Sequence, residues 1–166
     1  RSIIMGSNNF YTVRGYQTLK RRNKMLTSSM EDYMEMIYRI CLKNGYVRIN
    51  TLAELLNVQA PSVSRVVEKL KARKLINYEK YGVIQLTDKG KEMGAFLLKR
   101  HITVETFLKH LGVKETLMDT EMIEHNISME TYEKMILFNL FMQRHPEILK
   151  KYNDFIREHE GMDQIN

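Results

Sequence analysis

A pair of short predicted helices in the first half of the chain constrains the fold most. The segment Thr51-Leu-Ala-Glu54 has the pattern of a capping box and predicts a short helix that ends near Asn57. Pro61 suits the first turn of a second helix, because its missing N–H needs no partner there, and this helix extends to about Arg73. Two short helices joined by a tight connection are typical of a helix-turn-helix.

Two short strands are predicted directly after these helices. They cover residues 75–79 and 83–86 and flank the turn Lys80-Tyr81-Gly82. A hairpin that follows a helix-turn-helix predicts a winged helix, a fold that reads double-stranded DNA.

The rest of the chain has apolar residues at helical spacing. Ser28 and Ser29 offer N-caps for a first helix, and Thr87 caps a long helix that reaches about His110. The remaining helices are predicted at residues 114–126, after Ser128, and from Pro146 to about Arg157. We therefore predict a mainly α protein. Its parts are a basic extension (residues 1–26), a winged helix-turn-helix domain (27–90) and a helical domain (91–160).

Composition excludes some classes and favours others. No apolar run approaches the ~20 residues needed to cross a bilayer, so no membrane partner is expected. The single cysteine, Cys41, allows no internal disulfide and fits a reducing cytoplasm. Residues 1–100 carry 19 Lys and Arg against 8 Asp and Glu, whereas residues 101–166 carry 7 against 12. The basic first part suggests a polyanion partner, although unevenly solvated surfaces would give the same pattern.

Polar and basic side chains lie at the start of the second short helix, the end that enters the major groove in such folds. They are candidates for contacts with bases and phosphates, and a solvated helix face is the alternative. These candidates are Gln59, Ser62, Ser64, Arg65 and Lys69. Lys80, in the predicted hairpin turn, is placed for a phosphate contact together with Arg73 and Lys74.

Acidic and histidine side chains occur on three of the predicted helices. Asp32 and Glu35 are three residues apart on the first helix and share a face. The segment Glu121-Met-Ile-Glu-His125 places two carboxylates and an imidazole on one face of a later helix, and His101 lies on the long helix between them. A carboxylate pair on a helix is more often a solvated face, and spacing alone does not show that the three helices converge.

Six motifs occur together in one order at characteristic intervals over about residues 27–145. They are Ser29-Met-Glu-Asp-Tyr-Met-Glu-Met-Ile-Tyr38, Pro61-Ser-Val-Ser, Tyr78-Glu-Lys-Tyr-Gly, Leu86-Thr-Asp-Lys-Gly90, Arg100-His101 and Ile123-Glu-His125. In these motifs the chain resembles the diphtheria toxin repressor family, and within it the manganese transport regulator branch.

The resemblance implies a metal site and a function. In that branch an Asp and a Glu on the first helix, a His on the linking helix, and a Glu with a Glu-His pair on the next helix hold the metal. The implied ligands are Asp32, Glu35, His101, Glu121, Glu124 and His125. The iron-responsive branch has Met at the position of Asp32 and Cys at that of Glu121. The resemblance also places base-reading positions at Gln59, Pro61 and Arg65.

We therefore expect a manganese-responsive repressor of metal homeostasis. It would be a cytoplasmic homodimer that binds a palindromic operator and has a helical dimerisation and metal-binding domain, without the family's SH3-like domain. Four carboxylates and two imidazoles suit Mn²⁺, and one or two ions per subunit remain open; Fe²⁺ or Zn²⁺ could substitute. The alternatives are an iron- or zinc-responsive repressor of the same fold and a winged-helix regulator without metal control. A metalloenzyme is disfavoured, since no candidate nucleophile or small-molecule substrate site is evident.

Overall fold

The computed structural model describes residues 26–78 and 82–160, which form seven helices and one small sheet. The helices are α1 (Ser28–Asn44), α2 (Ile49–Leu55), α3 (Ala60–Ala72), α4 (Asp88–His110), α5 (Thr116–Glu124), α6 (Met129–Arg144) and α7 (Pro146–Glu160). The strands are β1 (Val47–Arg48), β2 (Ile76–Tyr78) and β3 (Val83–Leu86). The predicted mainly α class is confirmed. The predicted basic extension lies outside the described residues, apart from Leu26.

Helix starts follow the predicted capping residues at α4 and α6 and differ from them at α1 and α2. Thr87 and Ser128 accept backbone N–H groups at the starts of α4 and α6, as predicted. Helix α1 differs, because its N-cap is Thr27 rather than either serine; the Thr27 hydroxyl accepts the N–H of Met30 at 3.3 Å.

The prediction of a capping box at Thr51 was wrong. Helix α2 begins two residues earlier, at Ile49, and its N-cap Arg48 makes no side-chain cap hydrogen bond. The cause is strand β1, which the sequence analysis missed because two residues are too few to show an alternating pattern. Arg48 pairs with Val83 of β3, so the chain enters α2 directly from the sheet.

The sheet has the antiparallel order β1-β3-β2. Ile84 lies in the middle strand, pairs with Val47 on one side and Tyr78 on the other, and is fully buried. The two predicted strands of the hairpin are thus present. Residues 79–81, which include Lys80 of the turn between them, lie outside the described residues, whereas Gly82 is described.

One apolar core holds the helix-turn-helix, the sheet and the first half of α4 together. It includes Val63, Val67 and Leu70 of α3, and Met93 and Leu97 of α4. A second, smaller core lies further along α4 and contains residues of α4 and α6. Helix α4 therefore belongs to both cores. It joins the predicted winged helix-turn-helix domain (residues 27–90), the predicted DNA-reading unit, to the C-terminal helices.

Two glycines allow α4 to approach its neighbours closely. A Cβ atom at Gly90 would lie 1.8 Å from the carbonyl oxygen of Leu75, and one at Gly94 would lie 2.4 Å from Cβ of Tyr38. Gly94 thus sets the distance between α1 and α4, the helices that carry several candidate ligands. None of the described helices combines the length and apolar character needed to cross a membrane.

Candidate metal centre and nucleic-acid interface

Three helices bring all six predicted ligands into one cluster. Asp32 and Glu35 extend from α1, His101 from α4, and Glu121 and Glu124 from α5, while His125 is the C-cap residue of α5. The first group with ligand atoms within 4.8 Å of one another is Asp32, Glu121, Glu124 and His125. The second such group is Glu35, His101 and Glu124. Glu124 belongs to both groups, so the two sites are adjacent.

Glu124 lies at the centre of the cluster and is only 2% exposed. Among the described residues, its Oε2 atom is buried without a hydrogen-bond partner, and its near neighbour is Nδ1 of His101 at 3.3 Å. A buried ionised carboxylate is costly unless hydrogen bonds or a cation compensate it. This oxygen and the oxygen-rich surroundings therefore fit a bound divalent cation.

The imidazole of His101 faces three carboxylates. Its Nδ1 atom lies 3.3 Å from Glu124, 3.6 Å from Glu121 and 4.0 Å from Glu35. A hydrogen bond to Glu124 raises the pKa of His101, while burial acts in the opposite direction. Burial and the charge of Glu124 raise the pKa of Glu121. Both shifts favour the protonated forms of these two side chains, and protons compete with a metal ion for the same atoms.

His125 bridges α5 and α1. Its Nε2 atom lies 2.9 Å from Oδ1 of Asp32, and its Nδ1 atom lies 2.8 Å from Oε2 of Glu31. The hydrogen bonds to Asp32 and Glu31 raise the pKa of His125 to about 10. The ring is therefore protonated near neutral pH and links the two carboxylates.

The charged partners around the candidate ligands were not predicted from the sequence. The Arg100 guanidinium lies 2.8 Å from Glu31, and Arg39 lies 2.5 Å from Glu35. Burial opposes ionisation of Glu31, yet the hydrogen bond from His125 and the charge of Arg100 lower its pKa. Arg39 is four residues after Glu35, a spacing that could have revealed this pair. Glu31 and Arg100 are distant in sequence, and no local signal connects them.

Helix α3 presents most of the predicted DNA-contacting side chains to solvent. Gln59 is its N-cap residue, and Ser62, Arg65 and Lys69 lie on its exposed side, opposite the buried valines. Pro61 is also exposed, in the first turn. Ser64 differs, because it is half-buried and its hydroxyl donates to the carbonyl of Ala60 at 3.1 Å. Lys80 lies outside the described residues.

Family comparisons agree with this arrangement. Residues 25–84 match the model of the iron dependent repressor N-terminal DNA binding domain. Residues 87–153 match the model of the iron dependent repressor metal binding and dimerisation domain. A winged helix joined to such a domain defines the class of metal-dependent transcriptional regulators rather than enzymes. The chain belongs to the iron-dependent repressor family, the family that its motifs indicated.

Individual relatives are regulators as well. The chain is 39% identical over 129 residues to the HTH-type transcriptional regulator MntR of Lysinibacillus sphaericus, covering 76% of this chain and 93% of the relative. Among solved structures, the manganese regulator SloR has a TM-score of 0.60 and 29% identity, covering 68% of this chain and 54% of SloR. The structure of ScaR with bound Zn²⁺ has a TM-score of 0.57 and 28% identity, and the match covers 66% of this chain and 52% of ScaR. The chain thus spans about half the length of these solved chains.

Proposed function

We propose that this protein is a manganese-responsive repressor of metal homeostasis, in which metal binding promotes binding to operator DNA. The observation that carries the proposal is the convergence of six candidate ligands from α1, α4 and α5. The helix α1 belongs to the core of the DNA-reading unit, whereas α5 belongs to the C-terminal helices. A ligand set that spans both units can couple metal binding to their arrangement.

The donor set favours manganese. Its four carboxylates and two imidazoles supply no sulfur, and carboxylate oxygens suit Mn²⁺. The solved relative SloR is described as a manganese regulator, which supports this choice. Zn²⁺ and Fe²⁺ can also use these ligands, and the relative ScaR was solved with Zn²⁺. Selectivity then depends on site geometry more than on ligand type.

We infer two ions per subunit, one in each group. The first would be held by Asp32, Glu121, Glu124 and His125, and the second by Glu35, His101 and Glu124. The Glu124 carboxylate can serve both groups because it has two oxygens. Neighbouring sites that share a ligand are expected to influence one another's affinity.

The proposed switch depends on charge. Without a cation the clustered carboxylates repel one another, and a bound divalent cation supplies the positive charge that balances them. Through the bound cation, Asp32 and Glu35 then hold α1, and with it the DNA-reading unit, against α4 and α5. Moving DNA binding from mostly off to mostly on requires metal affinities that differ by about 3–5 kcal/mol between the two arrangements.

We propose that a cytoplasmic homodimer presents two α3 helices to the half-sites of a palindromic operator. Gln59, Pro61 and Arg65 would contact bases, and Ser62, Ser64, Lys69 and Lys80 would support base or phosphate contacts. The matched dimerisation domain supports a two-copy assembly. Exposed apolar side chains near α4 and α5 are candidates for the contact between copies. They are Ile102, Leu117, Met118 and Met122.

Mn²⁺ titration monitored by electron paramagnetic resonance tests the ligand assignment. The wild-type protein should bind two equivalents per subunit, and Asp32→Ala and Glu35→Ala should each leave one. Glu124→Ala should weaken both sites, because both groups include it. Glu130→Ala, an exposed acidic residue at the start of α6, is the matched control and should retain two. Unchanged binding in Glu124→Ala would reject the assignment.

A further inference from the structure

Glu31 is an acidic residue beside the candidate metal centre that belongs to neither ligand group. Its Oε2 atom lies 2.8 Å from Nδ1 of His125 and 2.8 Å from NH2 of Arg100. The three side chains are largely enclosed, with exposed fractions of 19% for Glu31, 9% for His125 and 7% for Arg100. They form a charged network between α1, α4 and the end of α5.

The chemistry of this network indicates which nitrogen of His125 a metal ion could take by displacing its proton. A carboxylate can only accept a hydrogen bond, so Nδ1 must be the donor in its contact with Glu31. The Arg100 guanidinium, which also lies 3.2 Å from Nδ1, has no acceptor and therefore donates to Glu31. The other ring nitrogen, Nε2, lies 2.9 Å from Asp32 and 3.7 Å from Glu124.

We propose that Glu31, held by Arg100, is a positioning residue that keeps the hydrogen on Nδ1 of His125 and turns Nε2 toward Asp32 and Glu124. This inference rests on the proposed function, because it assigns Nε2 as the metal-binding nitrogen. Glu31 is not a ligand itself, since its carboxylate lies on the opposite side of the ring. A carboxylate that fixes a histidine ligand raises the ligand's basicity, and its loss typically reduces metal affinity about 10–100-fold.

The network also adds a second connection between the two units. Glu31 precedes Asp32 on α1, and Arg100 precedes His101 on α4. Each member of the ion pair is thus adjacent to a candidate ligand on its own helix. The ion pair between Glu31 and Arg100 therefore connects α1 to α4 next to the candidate ligands.

Mn²⁺ affinity in two variant backgrounds tests the proposal. Glu35→Ala should leave only the group that contains His125. In that background, Glu31→Ala should lower the Mn²⁺ affinity about 10–100-fold. Asp32→Ala should leave only the group that contains His101, and there Glu31→Ala should change the affinity less than about 3-fold. Glu31→Gln should cause a smaller loss than Glu31→Ala, because the amide oxygen still accepts from Nδ1. Glu130→Ala is the control in both backgrounds.

An equal loss in both backgrounds, or no loss in the first, would overturn the proposal. A second measurement does not depend on metal: ¹⁵N nuclear magnetic resonance of the histidine rings in the metal-free protein. Glu31→Ala should shift the Nδ1 resonance of His125 and leave that of His145 unchanged. An unshifted Nδ1 resonance would overturn the positioning role. If the wild-type protein binds no Mn²⁺, the proposed function fails. The spectrum of the metal-free protein would still show whether Glu31 holds Nδ1 of His125.

Discussion

The Nε2 atom of His125 lies 2.9 Å from Oδ1 of Asp32, so a residue at the end of α5 contacts a residue of the first helix. Their separation in sequence is large, and they belong to different matched domains. A cation between these side chains would replace the ring proton and strengthen the same connection. In the proposed function, this contact is where metal binding would act on the DNA-reading unit.

Replacing Glu121 with Cys should change the metal preference. A thiolate is a softer ligand than a carboxylate and favours Zn²⁺ over Mn²⁺. We expect the ratio of Mn²⁺ to Zn²⁺ affinity to fall by roughly 10-fold or more, measured by competition with a chelating dye. Asp32→Met is a parallel test at the other end of the same group. An unchanged ranking of metals in Glu121→Cys would contradict its assignment as a ligand.

Stability of the metal-free protein should depend on pH through His125. Its pKa is raised from 6.5 to about 10, first by the hydrogen bond to Asp32 and then by that to Glu31. A raised pKa stabilises the fold fully below pH 6.5, and this stabilisation is lost as the pH rises toward 10. The melting temperature of the wild type should thus exceed that of Asp32→Asn most at pH 6 and least near pH 10. A difference that grows with pH would contradict this account.

Gly94→Ala should destabilise the protein because the new methyl group would lie 2.4 Å from Cβ of Tyr38. Overpacking of this kind typically costs about 1–3 kcal/mol, measured as the free energy of unfolding in urea. Lys91→Ala, at an exposed site on the same helix, should change stability by less than about 0.5 kcal/mol. Equal stabilities of the two variants would show that α1 and α4 do not require this close contact.

Several local features were predicted correctly from the sequence, although the N-cap of α1 and the start of α2 were not, whereas contacts between distant segments could not be predicted from spacing. Thr87, Ser128 and Pro61 act within one helix turn, so their roles could be read from neighbouring residues. Strand β1 could not, because its two residues are ordered by pairing with a distant strand.

The candidate site shows the same division. Helical spacing placed Asp32 and Glu35 on one face, but the approach of Asp32 to His125 and of Glu35 to His101 depends on how the helices pack, including the close contact of α1 with Gly94. The ligand set came from the family resemblance rather than from spacing. Glu31 and Arg100, 69 positions apart, meet only in the folded chain.

Arg65 and Lys69 should have different roles in DNA binding, since they lie at different distances from the start of α3. Arg65→Ala should cost about 1–3 kcal/mol of operator binding and relax specificity at one base pair. Lys69→Ala should weaken binding to all DNA sequences. It should also reduce the slope of log affinity against log salt concentration by about one. Fluorescence anisotropy over a salt series, with operator and random DNA, separates the two. Identical effects on both DNAs in Arg65→Ala would contradict a base-reading role.

Operator binding by fluorescence anisotropy at fixed salt, in Mn²⁺ and in chelator, tests the proposed metal switch. We predict tight binding of the wild type in Mn²⁺ but not in chelator, and no response to Mn²⁺ in the double variant Asp32→Ala/Glu124→Ala. Fe²⁺ and Zn²⁺ measured alongside would rank the metals. Equal binding of the wild type in chelator and in Mn²⁺ would contradict the metal switch, although the DNA-reading helix could still be correct.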